Sequence, residues 1–336
     1  MSPLTWHSLE LYINHSKYIN VDMFKEEDSL RRGQNVAAWK TLLAGAVSGL
    51  LARSITAPMD TIKIRLQLTP ANGLKPFGSQ VMEVARSMIK NEGIRSFWKG
   101  NIPGSLLYVT YGSAQFSSYS LFNRYLTPFG LEARLHSLVV GAFAGITSSI
   151  VSYPFDVLRT RLVANNQMHS MSITREVRDI WKLEGLPGFF KGSIASMTTI
   201  TLTASIMFGT YETIRIYCDE NEKTTAAHKK WELATLNHSA GTIGGVIAKI
   251  ITFPLETIRR RMQFMNSKHL EKFSRHSSVY GSYKGYGFAR IGLQILKQEG
   301  VSSLYRGILV ALSKTIPTTF VSFWGYETAI HYLRMY

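Results

Sequence analysis

Cysteine is all but missing from this 336-residue chain: Cys218 stands alone, so no internal disulfide framework can form. Acids are scarce as well. Against 38 Lys and Arg there are 22 Asp and Glu, a net charge of +16, which points to anionic partners. The bases gather around apolar segments, so anionic lipid or an anionic substrate fits better than nucleic acid. Residues 1–33 lack a long apolar core, and a secretory signal is therefore not expected. Glu10, Asp22, Glu26, Glu27 and Asp28 argue against an Arg-rich transit peptide. Residues 1–22 read as a poorly ordered extension, with Met23 as an alternative start. Catalytic motifs are missing too. There is no Cys-x-x-Cys, His-Glu-x-x-His, P-loop or dinucleotide glycine motif, and the nine histidines show no metal-ligand spacing. The chain is not expected to be an enzyme or to hold a cofactor or a metal.

Long apolar segments are present. Uncharged runs cover 101–123, 135–155 and 193–211, and three more segments, near 36–58, 233–254 and 307–326, carry one or two bases each. About 20 predominantly apolar residues cross a bilayer, so these are six candidate spans. A mean hydropathy near zero fits spans that turn one polar face to water.

Three short stretches organise the chain. They are Pro58-Met59-Asp60-Thr61-Ile62-Lys63-Ile64-Arg65, Pro154-Phe155-Asp156-Val157-Leu158-Arg159-Thr160-Arg161 and Pro254-Leu255-Glu256-Thr257-Ile258-Arg259-Arg260-Arg261. The prolines lie 96 and 100 residues apart, the mark of a module repeated three times. Each stretch sets a charged turn at the end of an apolar run. On three symmetric helices, the acid of one repeat can meet the first base of the next and close a ring of ion pairs.

The rest of the grammar repeats as well. Gly45 and Gly49, Gly141 and Gly145, and Gly241 and Gly245 stand 13 and 9 residues before their prolines, a small-xxx-small spacing that predicts close helix approach. Amphipathic segments follow at 78–90, 171–183 and 283–297; in the first, Val81, Val84, Ala85 and Met88 fall at helical spacing. Then come Glu92-Gly93, Glu184-Gly185 and Glu299-Gly300, and after them Lys99-Gly100, Lys191-Gly192 and Arg306-Gly307. A polar linker is expected at 219–230 and an insertion at 266–282. The expected division is an extension at 1–34 and repeats at 35–130, 131–230 and 231–336. Two spans per repeat make the repeats parallel about one axis along the membrane normal. The fold predicted is an all-α membrane protein: six transmembrane helices in three tandem repeats, a threefold pseudo-symmetric barrel with short amphipathic helices at one end.

These motifs resemble those of the mitochondrial carrier family. The family signature, proline-x-acid-x-x-base, then acid-glycine, then aromatic-base-glycine, appears three times over about 36–336. The resemblance implies a multi-pass carrier of the mitochondrial inner membrane, a monomer with both termini toward the cytosol. It implies a matrix gate of Asp60–Arg159, Asp156–Arg259 and Glu256–Lys63, braced by Gln67 and Gln263; Val163 stands at the third brace position. A second family pattern, aromatic-acid-x-x-base, closes the cytosolic side. Tyr211, Glu212 and Arg215 match it in full. Tyr326 and Glu327 match, but Ile330 replaces the base, and Tyr119, Ser120 and Asn123 lose both charges. At best Ser120–Arg215 and Glu327–Asn123 hydrogen bond there. The family's even-helix contact positions fall on Leu107, on Thr199 with Ile200, and on Lys314. Lys99, Gly100, Lys191, Gly192, Arg306 and Gly307 match its cardiolipin sites, where helix N-termini attract phosphate. Within the family the likeness is closest, at 54–68, 119–123, 152–165 and 252–263, to a member whose substrate is exchanged with nucleotides.

The residues also speak for themselves. Arg53 and Lys249 each lie seven residues before the signature acid, on the same helical side and about 10 Å along the axis. Lys314 lies inside the last span, and no acid occupies the middle of any span. Three intramembrane cations thus lack an evident partner, at a cost of about 2.5–3.5 kcal/mol each on insertion scales. An apolar, a polar and a basic contact suit a ligand with a ring and a phosphate end. Thiamine pyrophosphate, a nucleotide or coenzyme A fits. Tyr108 and Tyr111 could stack on a ring, though packing is the commoner use of such residues. A non-transporting scaffold is the alternative from another class; it needs neither a charge ring nor cavity cations.

Overall fold

The computed structural model describes residues 38–70, 76–130, 132–165, 172–222, 230–265, 267, 280 and 287–335. The extension expected at 1–34, and all of the 266–282 insertion except Ser267 and Tyr280, lie outside these residues. The first unit contains α1 (Ala38–Leu68), α2 (Phe77–Glu92), a 3-10 turn (Ile94–Trp98) and α3 (Asn101–Leu126). The second contains α4 (Ala133–Ala164), α5 (Ile173–Glu184), a 3-10 turn (Leu186–Phe190) and α6 (Ser193–Glu222). The third contains α7 (Lys230–Phe264), α8 (Phe288–Glu299), α9 (Val301–Leu304), α10 (Ile308–Ser313) and α11 (Thr315–Met335). No strand occurs among the described residues.

Four segments, Trp39–Leu68, Leu135–Ala164, Leu233–Phe264 and Val301–Arg334, are long and apolar enough to cross a membrane on composition alone. The α3 and α6 helices, with 26 and 30 residues, match them in length. Their many Ser, Thr and Tyr residues dilute their apolar character.

The six long segments form a closed ring. The heaviest packing joins α3 to α4, α6 to α7 and α11 to α1, so each unit's second span leans on the first span of the next unit. Contacts between α1 and α3, and between α4 and α6, are lighter. The three helices that carry a signature, α1, α4 and α7, also touch one another. Within and beyond their charged turns, Ile64, Leu68, Val163, Ala164, Ile258 and Phe264 bury one another in a shared apolar plug.

Each signature proline sits inside its helix. Proline removes an N–H, which frees the carbonyl four residues back. In the first unit the Trp98 indole donates to that carbonyl, Ser54 O, at 3.0 Å. A hydroxyl two residues before each proline bonds back one turn: Thr56 to Ala52 O at 2.8 Å, Ser152 to Ser148 O at 2.7 Å and Thr252 to Ala248 O at 2.7 Å. Such back-bonding bends helices, so proline and hydroxyl act together on the three converging helices.

Three expectations need correction. The α6 helix runs to Glu222, through the start of the linker expected at 219–230, and Asn221 is tied to Tyr217 O at 2.8 Å. The glycine pairs do not bring backbones together as their spacing suggested. A Cβ on Gly45, Gly141 or Gly241 would meet nothing within 4 Å, and Gly49 and Gly145 face the side chains of Tyr108 and Ile200. Close approach falls instead to Gly325, whose Cβ would lie 3.4 Å from Ser48 Cα, and to Gly244, 3.2 Å from Met207 O. The spacing was regular, but spacing does not say which face a glycine presents. Lastly, the final span is not one uninterrupted helix. It divides at Lys314 between α10 and α11, where Pro317 cannot donate to Ser313 O.

Candidate functional site

The signature acids of α1, α4 and α7 meet the first bases of their neighbours. Arg159 Nη2 donates to Asp60 Oδ2 at 2.7 Å, Arg259 Nη2 donates to Asp156 Oδ2 at 2.6 Å, and Lys63 Nζ pairs with Glu256 Oε1. Gln263 supports one of these pairs through Nε2, which donates to Asp156 Oδ2 at 2.7 Å and to the Tyr153 hydroxyl at 3.1 Å. Gln67 Nε2 donates to Thr257 Oγ1 at the longer distance of 3.5 Å. Val163 is buried in the plug.

A second ring lies beyond the first. Each signature's last arginine crosses to a backbone carbonyl of the next unit. Arg65 Nε donates to Val163 O at 3.0 Å, Arg161 Nε to Gln263 O at 3.0 Å and Arg261 Nε to Gln67 O at 3.1 Å. The same guanidinium groups grip Glu92, Glu184 and Glu299, which close the amphipathic helices. Burial alone would raise the Glu184 carboxyl; the Arg161 and Lys191 groups beside it hold it below the ordinary glutamate range. The sequence showed these arginines and glutamates but not their pairing, because a bond to a carbonyl leaves no mark on the partner's side chain.

The three cations expected to lack partners divide. Lys249 Nζ donates to Glu256 Oε2 at 2.6 Å, seven residues along its own helix. Lys314 Nζ donates to Asp60 Oδ1 at 2.7 Å. Lys249 was expected on the acid's side of its helix and Lys314 only inside the last span; the acids were assigned to one base apiece when a carboxylate has two oxygens. Arg53 keeps the expected character. Its Nε and Nη2 are buried without a hydrogen-bond partner, and the guanidinium lies so close over Gly104 that a Cβ there would come within 2.5 Å of Nη2. Arg260, which drew no notice in the sequence, donates to Asp156 Oδ1 at 2.9 Å, Thr160 Oγ1 at 2.7 Å and Gln263 Oε1 at 3.0 Å.

The other expected contact positions are scattered over two helices. Leu107 is half-buried on α3, one turn from Gly104. Tyr111, one turn further, has a buried hydroxyl without a partner. On α6 the Thr199 hydroxyl bonds its own helix at Ala195 O, 2.6 Å, and Ile200 faces Gly145. Tyr108 covers Gly49 with its ring.

At the opposite end of the barrel the aromatic patterns stand apart. Neither the Ser120–Arg215 nor the Glu327–Asn123 bond is formed. Asn123 Oδ1 pairs with His136 Nε2 at 2.8 Å, Arg215 lies 4.0 Å from Asp219 on its own helix, and Ser120 and Glu327 are exposed. Tyr119, Tyr211 with Glu212, and Tyr326 belong to α3, α6 and α11 respectively.

Gly100 and Gly307 adopt left-handed backbone, φ 76° and 87°, directly before α3 and α10, and no side chain caps either helix. Gly192 matches them before α6, at φ 81°. The bases beside them are already engaged: Lys99 Nζ donates to Glu92 at 2.5 Å and Asn165 O at 2.9 Å, Lys191 pairs with Glu184 at 2.5 Å, and Arg306 Nη1 donates to Thr69 O at 2.9 Å and Pro70 O at 2.7 Å. What remains for an anion is the row of helix-start N–H groups. The first of these borders a cleft of about 150 Å³ lined by Trp98, Gly100, Asn101, Ile102, Leu162 and Ile173.

A family model described as mitochondrial carrier protein matches residues 34–129, 133–222 and 230–336. A Saccharomyces cerevisiae (strain YJM789) protein named mitochondrial thiamine pyrophosphate carrier 1 is 99% identical over 314 residues, covering 94% of this chain and 100% of its own. Proteins of the same name from Kluyveromyces lactis and Candida glabrata are 46% and 44% identical, each over 90% of this chain and over 93% and 97% of their own.

Proposed function

The chain belongs to the mitochondrial carrier family, and we propose that it carries thiamine pyrophosphate across the mitochondrial inner membrane in exchange for nucleotides. The protein is a membrane transporter rather than an enzyme. The observation that carries the substrate reading is Arg53, whose buried guanidinium keeps two nitrogens without a partner. A buried, unpaired cation is costly, and a ligand phosphate is the group that would satisfy it. Lys249 and Lys314, on the same acids' side, extend that positive floor. Leu107 and the orphan hydroxyl of Tyr111, one and two turns along α3 from Gly104, offer an apolar wall and one polar atom to the ring end of such a ligand. The names of the three relatives support the same choice.

In this reading the ion-pair ring is the matrix gate, closed here, and the splayed aromatic-motif end is the cytosolic mouth. A single central site serves both sides in turn. Opening to the matrix breaks Asp60–Arg159, Asp156–Arg259 and Glu256–Lys63. The opposing closure draws Ser120, Asn123, Glu212, Arg215 and Glu327 together. Cardiolipin headgroups take the helix-start N–H groups after Gly100, Gly192 and Gly307, and the carrier works as a monomer. Nucleotides and coenzyme A share the phosphate end, so the test compares them. Proteoliposomes are loaded with a nucleotide, and uptake of labelled thiamine pyrophosphate, nucleotides, coenzyme A and thiamine is measured. Thiamine pyrophosphate should be taken up and cationic thiamine excluded. Equal uptake of thiamine would overturn the phosphate-binding role.

A further inference from the structure

Each ring acid is held by two bases. Asp60 binds Arg159 and Lys314, Glu256 binds Lys63 and Lys249, and Asp156 binds Arg259 and Arg260. The second bases are not alike. The Lys249 and Lys314 side chains are 35% and 26% exposed, the most open members of the cluster. Arg260 is 10% exposed and is also fixed by Thr160 and Gln263. Tyr153 further holds the Asp156 cluster, with its ring 5.1 Å from the Arg259 guanidinium.

We propose that Lys249 and Lys314 are shared bases, which a substrate phosphate draws away from Glu256 and Asp60, while Asp156 keeps both of its partners. The proposal rests on the reading that a phosphorylated anion occupies the central site. An ammonium group has three donors and one charge, so carboxylate and phosphate compete for its orientation and its field. Phosphate bonding to Lys314 therefore leaves Asp60 held chiefly by Arg159, and bonding to Lys249 leaves Glu256 held chiefly by Lys63. Two ring positions sense the ligand from above. The third is screened from it, because its second base is buried between α4 and α7. Opening of the ring would then begin at Asp60 and Glu256 and end at Asp156.

Binding linkage is reciprocal: if ligand weakens the hold on an acid, removing that acid must strengthen the hold on ligand. The experiment is a calorimetric titration of thiamine pyrophosphate into the purified full-length carrier and into Asp60→Asn, Glu256→Gln and Asp156→Asn. Asp60→Asn and Glu256→Gln should bind about fivefold tighter than wild type, and Asp156→Asn should stay within about twofold. Equal changes in all three, or no gain at Asp60 and Glu256, would overturn the sharing. If wild type binds no phosphorylated ligand, the reading beneath the proposal falls and the proposal falls with it. Lys314→Gln and Arg260→Gln provide a second measurement that leaves every acid in place. Lys314→Gln should shrink the ligand-induced rise in unfolding temperature. Arg260→Gln should lower the ligand-free unfolding temperature and leave the ligand-induced rise intact. The reverse pattern would also overturn the proposal.

Discussion

Asp60 and Lys314, 254 residues apart in sequence, meet at 2.7 Å and tie the first span to the last. This bond changes what a substitution at Lys314 should do. Removing an unpaired cation would leave the ligand-free protein as stable or more so; removing a partner of Asp60 should not. Lys314→Ala is expected to lower the unfolding temperature by about 2 °C. It should also weaken thiamine pyrophosphate binding by about ten- to a hundredfold, the loss of one charge-assisted hydrogen bond. Thermal unfolding with and without ligand reads both effects. An unchanged or raised ligand-free midpoint would contradict the tie.

The ring also predicts how charge exchange should behave. Asp156→Arg would set a third guanidinium beside Arg259 and Arg260 and should abolish transport. The double change Asp156→Arg with Arg259→Asp should restore only part of it, because Arg260 still faces the new arginine. Adding Arg260→Gln should raise the recovery further. Uptake rates in proteoliposomes order these three variants, and full activity of the single variant would refute the pairing.

The uncapped helix starts predict a lipid effect. Asn101→Asp keeps the side chain's size and adds a charge that a helix N-terminus welcomes, by about 0.3–1 kcal/mol. The same charge repels a phosphate approaching the N–H groups after Gly100. Stability without lipid should therefore hold or rise, while the stabilisation added by cardiolipin should fall. Unfolding temperatures measured across a cardiolipin series check this; a full lipid response would place the headgroup elsewhere.

Tyr280 gives a prediction from the insertion. Its ring is fully buried, packs edge-on to Phe264 at 5.8 Å and donates its hydroxyl to Leu68 O. Tyr280→Phe should cost about 1 kcal/mol for the lost bond, and Tyr280→Ala about 3–5 kcal/mol for the cavity. Denaturation midpoints of the two variants should fall in that order. Equal effects would show that the ring contributes nothing beyond the hydroxyl, and an unchanged midpoint for Tyr280→Phe would show that the hydroxyl contributes nothing.

Much of the fold was legible because threefold repetition multiplies every signal. One Pro-x-Asp is weak, but the same turn three times located α1, α4 and α7 and named the ring partners Asp60–Arg159, Asp156–Arg259 and Glu256–Lys63. What sequence could not supply was saturation. Nothing in the spacing says that Asp60 has an oxygen left for Lys314, or that Arg260 joins Arg259 on Asp156 while Arg261 turns away to Glu299. Nor does a glycine reveal whether it faces a backbone, as Gly325 faces Ser48, or open space, as Gly45 does. The hydroxyls of Thr56, Ser152 and Thr252 were visible at a fixed offset from each proline, and that offset could have found them.

The heaviest packing in the barrel crosses the boundaries between units: α3 on α4, α6 on α7, and α11 on α1. The pieces that hold together are therefore out of phase with the pieces that repeat. The first and last spans form one such pair, so α1 and α11 are joined by contact where no peptide bond joins them. A chain cut between α6 and α7 would keep its two parts in register through the very faces that the cut separates. In the assembled barrel, the covalent order of the spans is one of three equivalent places to begin.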